Sequence, residues 1–258
     1  GARHTAMLDV RTLFVVLVFT SVIIAVSMAV AAEFRLRDGI GKWTFSLMLQ
    51  SLMWLAYGMR GVWPDAVSII LPNTLFLFAT LVQVSATLEF YGRRLSPFWF
   101  LSPLVFAGLF FAVLPNITQR VIATGLVLGL ATMAAGIVIH RVADSRRPAR
   151  WMLVIGFLAA SVALLLRAIL TVIDPTVLRD FFSPSPFQAV SFMVALAVII
   201  VTSLGFMLLH KERLEETAQR LAVTDPLTGA FNRRTFLELA SKEIARSQRM
   251  QTAMSLLM

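Results

Sequence analysis

Three polar side chains stand inside otherwise unbroken apolar runs: Arg167, Asn73 and Gln50. An arginine in such surroundings costs at least a few kcal/mol unless it meets a partner or water. Its planar guanidinium holds a carboxylate or phosphate through paired N–H bonds, and the amides of Asn73 and Gln50 can orient the same group. Trp54 lies one helical turn beyond Gln50, and Tyr57 follows it on the same run. Arg167, Asn73, Gln50, Trp54 and Tyr57 therefore read as the wall of a ligand cavity. Its occupant is a lipid or a small amphipathic anion, such as a carboxylate on an apolar tail. In the competing reading, Arg167 snorkels to the outer headgroups or bonds helix carbonyls.

Other chemistries are excluded or weakened by residue type. The absence of cysteine removes disulfides, thiolate metal sites and thiol nucleophiles. A retinal Schiff base needs a lysine inside the bundle, and Lys42, Lys211 and Lys242 all lie outside the middle of the apolar runs. His140 and His210 fall at the ends of two runs, where interfacial histidines are commoner than a haem or copper pair. No metal or cofactor is expected in the chain itself. A channel or transporter would carry more intramembrane acids or broken helices. The Pro72-Asn73 step, able to break a helix, keeps a transporter-like bundle as an alternative.

The elements that must hold these residues follow from composition. The chain is 258 residues long, 58% hydrophobic and 14% charged, with its apolar residues in long runs. Runs at 10–32, 43–59, 66–91, 97–114, 118–140, 151–173 and 187–209 approach the ~17–25 residues that cross ~30 Å of hydrocarbon. The second and fourth are the shortest. The expected fold is an all-α membrane protein with a seven-transmembrane-helix bundle over 7–209. Residues 1–6 read as a cloning remnant, because Met7 makes a natural start.

Arginine and lysine set the orientation. One set of alternate loops holds Arg35, Arg37, Lys42, Arg93, Arg94, Arg141, Arg146, Arg147 and Arg150, while the other holds Arg60, Arg120 and Arg179. The richer set is cytoplasmic by the positive-inside rule, which puts the N-terminus outside and the C-terminus in the cytoplasm of a bacterial inner membrane. The net charge of +9 is thereby a property of membrane loops, and no nucleic-acid partner is expected. At 1.5 Å per residue, Arg167, Asn73 and Gln50 sit roughly 9–15 Å deep in the outer half. No acidic side chain shares that depth, and Glu89 lies near the cytoplasmic end of its span.

Further cues concern packing. Trp43, Trp63, Trp99 and Trp151 read mostly as an interfacial aromatic belt, with Trp54 deeper. Gly125, Gly129 and Gly136 permit close helix approach, within one chain or between two. The connection 174–187, with Pro175, Pro184 and Pro186, reads as an irregular external loop.

After residue 209 the pattern changes to mixed charges and strong helix formers, His210 to Leu221. Met207, Leu214 and Leu221 repeat every seven residues, and Ala218 takes the alternating position. The segment 210–223 reads as a signalling helix forming a short parallel coiled coil, hence a homodimer. Asp225-Pro226 and Thr228-Gly229 are turn chemistry, and Asn232 is an N-cap for a helix starting at Arg233. That helix is amphipathic, with Phe236, Leu239, Ala240 and Ile244 on one face, and 252–258 reads as a buried strand.

The stretch Asp225, Leu227, Thr228, Gly229, Asn232, Arg233, Arg234, Phe236 resembles the opening of the GGDEF domain of bacterial diguanylate cyclases, D-x-L-T-G-L-x-N-R-R-x-F, with Ala230 in place of the usual leucine. The resemblance covers 224–258, the expected truncated start of an α/β domain. It implies that the parent protein condenses two GTP into cyclic di-GMP, with Mg²⁺ holding the phosphates and two domains facing each other. The metal-binding aspartate and the Gly-Gly-Asp/Glu-Glu-Phe loop of that family fall beyond this sequence, so no catalytic residue is expected here and the chain alone should be inactive. The upstream bundle is then its sensor. Met207, Leu214, Ala218, Leu221, Asp225, Pro226, Asn232 and Arg233 would transmit the signal. A degenerate GGDEF domain acting as a cyclic di-GMP receptor or scaffold is the alternative.

Overall fold

The structure, a computed structural model, describes residues 10–31, 38–112, 115–144, 147–174, 186–221, 223, 225, 227–253 and 255. The chain divides into two compact units, Gly1–Met207 and Leu208–Met258. The first contains α1 (Val10–Ala31), α2 (Ile40–Gly58), α3 (Asp65–Phe90), a 3-10 turn (Pro97–Leu101), α4 (Ser102–Ala112), α5 (Ile117–Val142) and α6 (Arg150–Ile173). The unit boundary falls within α7 (Pro186–Leu221), and α8 (Arg233–Met250) belongs to the second unit. Among the described residues there is no strand; Arg60 and Trp63 form an isolated bridge.

Among the described residues five helices are long and apolar enough to cross a membrane: α1, α3, α5, α6 and α7. Their outward faces carry Phe19, Ile23, Ile155 and Val162, each more than half exposed. A soluble protein hides such residues, whereas hydrocarbon accepts them. The chain is thus a helical membrane protein by length and composition. The two remaining apolar runs differ from expectation for identifiable reasons. In α2, Lys42, Gln50 and two tryptophans dilute a 19-residue helix. The run 97–114 starts as a 3-10 turn, and α4 itself has only 11 residues, about 16 Å, because Pro97 and Pro103 delay regular helix.

The bundle closes through contacts between neighbours in sequence and a return by α7. α1 packs on α2, α2 on α3, α3 on α4 and α5, and α5 on α6. Ile69 and Leu77 of α3, Phe106 and Phe110 of α4, and Leu128 of α5 form one apolar cluster. The glycines on α5 face α6. A Cβ at Gly125 would sit 2.6 Å from the Leu164 carbonyl oxygen and 2.7 Å from the Ala168 Cβ. A Cβ at Gly129 would sit 2.8 Å from the Leu165 side chain. Ser161 Oγ uses the same approach to donate to the Gly129 carbonyl at 2.8 Å. The small-residue seam therefore serves packing within one chain. Gly156 and Gly205 do the same between α6 and α7, against Thr202 and Met152.

Trp43 corrects the aromatic-belt expectation. Its side chain is fully buried, stacks on Phe206 of α7 with centroids 4.3 Å apart, and donates from Nε1 to Ser203 Oγ at 3.2 Å. Trp63, Trp99 and Trp151 remain exposed, as a belt requires. Glu89 finds its partner on α2: Lys42 Nζ lies 2.6 Å from its carboxylate, and the Gly39 N–H donates to it at 3.1 Å. Both side chains are nearly half exposed, so the pair contributes at most about 1 kcal/mol. Gly39 has φ +87°, and a Cβ there would collide with the Ala86 carbonyl oxygen, so glycine is what lets α2 begin against α3. Pro72 does not break α3, which is helical from Asp65 to Phe90. The Asn73 side chain donates to the Ile69 carbonyl at 2.6 Å beside the gap that proline leaves in the ladder.

In the second unit the turn chemistry reads as expected. Asp225 Oδ1 accepts from the Leu227 and Thr228 N–H groups and from Thr228 Oγ1, at 2.9–3.0 Å. Gly229 takes φ +68°. Asn232 Oδ1 accepts from the Thr235 N–H at 2.9 Å and caps α8. The expected strand at 252–258 is not seen: Thr252, Ala253 and Ser255 are not in a strand, and the other four residues lie outside the described ones. Of the expected loop at 174–187, Pro186 opens α7 instead, and Pro175 and Pro184 lie outside the described residues, as do residues 1–6.

Candidate functional site

A cavity of about 200 Å³ runs inside the bundle, walled mainly by α2, α3, α5, α6 and α7. All five residues expected at a ligand wall line it: Gln50, Trp54, Tyr57, Asn73 and Arg167. They arrive there by helical period. Gln50, Trp54 and Tyr57 are spaced i, i+4, i+7, which is one face of α2. Arg167 lies on α6 one residue before Ala168, which packs against Gly125 of α5. The glycine seam therefore sets how far the arginine stands from the α5 wall.

Two more arginines line the cavity. Arg60 lies two residues past the end of α2, with its N–H donating to the Tyr57 carbonyl at 3.3 Å. Arg120 is in the first turn of α5, whose N-cap Asn116 accepts from the Gln119 N–H at 3.1 Å. Arg60 and Arg167 are within electrostatic reach of each other and of Tyr57. No aspartate or glutamate is among the described lining residues. The cavity wall thus carries three guanidinium groups among largely apolar side chains. In a region of low dielectric an anion between them gains far more than it would in water.

The neutral polar groups divide into occupied and unoccupied ones. Asn73 is nearly fully buried, donates to the Ile69 carbonyl and accepts from the Tyr57 hydroxyl at 2.8 Å. It fixes the Tyr57 ring against α3. Gln50 Oε1 and Trp54 Nε1 are buried and make no hydrogen bond within the protein. An unpaired buried polar atom costs about 1–3 kcal/mol, so this pair marks a place where a ligand or water is stabilised. Phe14 of α1 backs the same wall, stacking on Trp54 and Tyr57 with centroids 6.0 and 6.2 Å away and meeting Phe192 edge-on at 4.9 Å.

The sequence reading missed Arg60, Arg120 and Gln188. It counted the two arginines as loop charges. Arg60 lies three residues beyond Tyr57, and that spacing continues the Tyr57 face of α2. Gln188 is buried in the first turn of α7, hidden in the sequence by the proline-rich segment before it.

The residues expected to transmit a signal are placed only in part. Met207 and Ala218 lie on α7, Leu214 is largely exposed there, and α7 ends at Leu221. Asp225, Asn232 and Arg233 form the turn and cap before α8, while Pro226 lies outside the described residues. Three hydrogen bonds, from the Thr228 N–H, the Thr228 hydroxyl and the Leu227 N–H, hold the Asp225 carboxyl below the usual aspartate range, the Thr228 N–H contributing most. The apolar residues Phe236, Leu239 and Ile244 of α8 are exposed. His140 lies beside the Trp151 ring, centroids 5.3 Å apart. Among the described residues no group of His, Asp or Glu could hold a metal ion. No protein-family model matches the chain. No curated protein matches it either, and the same holds for the solved structures.

Proposed function

We propose that the chain is the membrane sensor of a bacterial diguanylate cyclase. It takes up a small amphipathic anion, or a lipid of that kind, in the bundle and controls a dimeric GGDEF output in the cytoplasm. The observation that carries the sensing part is the cavity with Arg60, Arg120 and Arg167 at its wall and no acid among its described lining residues. The polar groups of the described lining are amides, hydroxyls, the Trp54 indole and guanidinium groups, which suit binding an anion; none is a carboxylate or imidazole that could activate a hydroxyl as general base. The output part rests on the motif from Asp225 to Phe236, whose Asp225 turn and Asn232 cap are formed.

In this reading α2 and the 97–112 segment join the five long helices to complete seven crossings. The N-terminus faces outward and the C-terminus inward, as the loop arginines favour. Ligand binding moves α7, and the α7 helix passes the motion to its copy in a homodimer, where Met207, Leu214, Ala218 and Leu221 form the seam. Asp225, Pro226, Asn232 and Arg233 then turn the chain toward the output body, which uses GTP and Mg²⁺ in the parent protein.

The test uses the lack of cysteine. Leu214→Cys, spin-labelled in nanodiscs, reports the distance between two copies. Decanoate is expected to shift that distance in the parent sequence and not with Arg167→Ala. An unchanged distance, or no second copy, overturns the sensor reading. In this reading, the presence of the metal-binding aspartate and the Gly-Gly-Asp/Glu-Glu-Phe loop in the parent protein would separate an active cyclase from a degenerate receptor.

A further inference from the structure

The cavity is long as well as basic. From Arg60, just past the end of α2, its lining runs back along that helix to Gln50, ten residues or about 15 Å. Along α5 it runs from Arg120 to Thr132, and along α7 from Gln188 to Thr202, about 18 and 21 Å. A volume of about 200 Å³ spread over such a length describes a shaft, not a sphere. A single unbranched chain suits a cavity of that length.

The shaft is also chemically graded. Arg60 and Arg167 lie within electrostatic reach of each other and of Tyr57, and Arg120 lines the cavity from the first turn of α5. Gln50 Oε1 and Trp54 Nε1 lie one helical turn apart and about 9–15 Å further along α2 from Arg60. One is an acceptor, the other a donor, and neither bonds within the protein. Trp54 is more than nine-tenths buried. A plain hydrocarbon chain would leave both atoms unsatisfied. A hydroxyl or a secondary amide donates and accepts at once, so one such group satisfies both.

We infer that the site is built for a single-chain amphiphile carrying an anionic head and, about 9–15 Å along its chain, a hydroxyl or secondary amide that bridges Gln50 Oε1 and Trp54 Nε1. This deepens the sensor reading and rests on it. The head binds at Arg60, Arg120 and Arg167, and the mid-chain polar group selects among acids that the arginines alone cannot distinguish. Rejecting a chain that lacks that group follows from leaving buried partners unpaired.

The test compares decanoate, ω-hydroxydecanoate and decanol as probes, by calorimetry on the chain in nanodiscs. The hydroxy acid is expected to bind about five- to tenfold tighter than decanoate, the gain of one well-placed group with two partners. The double variant Gln50→Leu with Trp54→Phe is expected to erase that preference, and its helical circular dichroism and thermal unfolding show that it folds. Equal binding of the two acids, or a preference that survives the double variant, overturns the inference and leaves the anion site standing. Decanol binding as tightly as decanoate, or no probe binding, overturns the anion site and this inference together.

Discussion

Replacing Gly125 by alanine places a methyl group against α6, and the geometry fixes the sign of the outcome. The new carbon would lie 2.6 Å from a backbone oxygen, that of Leu164, and 2.7 Å from the Ala168 Cβ. Neither atom can rotate away, so α5 and α6 must separate by about 1 Å to reach ordinary contact. Such overpacking costs about 1–3 kcal/mol, and a backbone neighbour puts it toward the upper end. Against this stands a gain of about 0.5–1 kcal/mol, because alanine favours helix over glycine. Gly108 supplies the control: it lies inside α4 with nothing within 4 Å, so Gly108→Ala retains the gain without the clash. The two variants should differ by roughly 2–3 kcal/mol, or about 4–12 °C in melting temperature for a protein of this size. Thermal unfolding in detergent, followed by intrinsic fluorescence, measures it. Gly125→Ala should melt lower than the parent and Gly108→Ala no lower. Because Ala168 adjoins Arg167, Gly125→Ala should also weaken decanoate binding. Equal melting of the two variants would refute the α5–α6 seam.

Three further outcomes follow from named contacts. Asn232→Ala removes the cap of α8 and should cost about 1 kcal/mol locally, seen as faster hydrogen exchange at the Thr235 amide; unchanged exchange would exclude the cap. Asp225 titrates below the usual aspartate range when folded, so its turn is stabilised above the unfolded value of about 4 and loosens as pH falls through the lower folded value. Exchange at the Leu227 and Thr228 amides should therefore rise only in that acid window, and protection that ignores pH would contradict the hydrogen-bond set. Trp43→Phe keeps the ring stack on Phe206 but orphans Ser203 Oγ, which should cost about 1 kcal/mol in thermal unfolding, whereas Trp151→Phe at the exposed surface should cost little; equal costs would restore the belt reading of Trp43.

Much of the bundle is legible in the chain because a helix in hydrocarbon must satisfy every backbone group internally, which leaves long, sharply bounded apolar runs. Five runs come within a residue or two of their helices at most ends, the exception being α7, which continues to Leu221. The 97–114 run was harder, since hydropathy does not register that Pro97 and Pro103 consume its first turns. Trp43 shows what a run cannot say. Trp54 stands deep enough in its run to be read as cavity wall, but Trp43 lies at a helix end like a belt residue, and only the partner helix, through Phe206, decides that it is core. The cavity was half legible. Arg167, Asn73 and Gln50 stood out because each is polar in an apolar run. Arg60 and Arg120 did not, because a charge beside a helix end looks the same whether it faces headgroups or turns inward. Asn73 was visible as a polar group, but its engagement with the Ile69 carbonyl and Tyr57 hydroxyl is a property of the folded bundle.

The direct test of the central claim is the affinity of the chain in nanodiscs for decanoate, measured by calorimetry in the parent sequence, in Arg167→Ala and in Arg167→Lys. A buried charge-assisted contact contributes about 1.5–3 kcal/mol, so Arg167→Ala should weaken binding by roughly 10- to 150-fold. Arg167→Lys, which keeps the charge and loses the fork, should fall between. Affinity that is the same in all three would contradict an anion held at Arg167, and with it the sensor cavity.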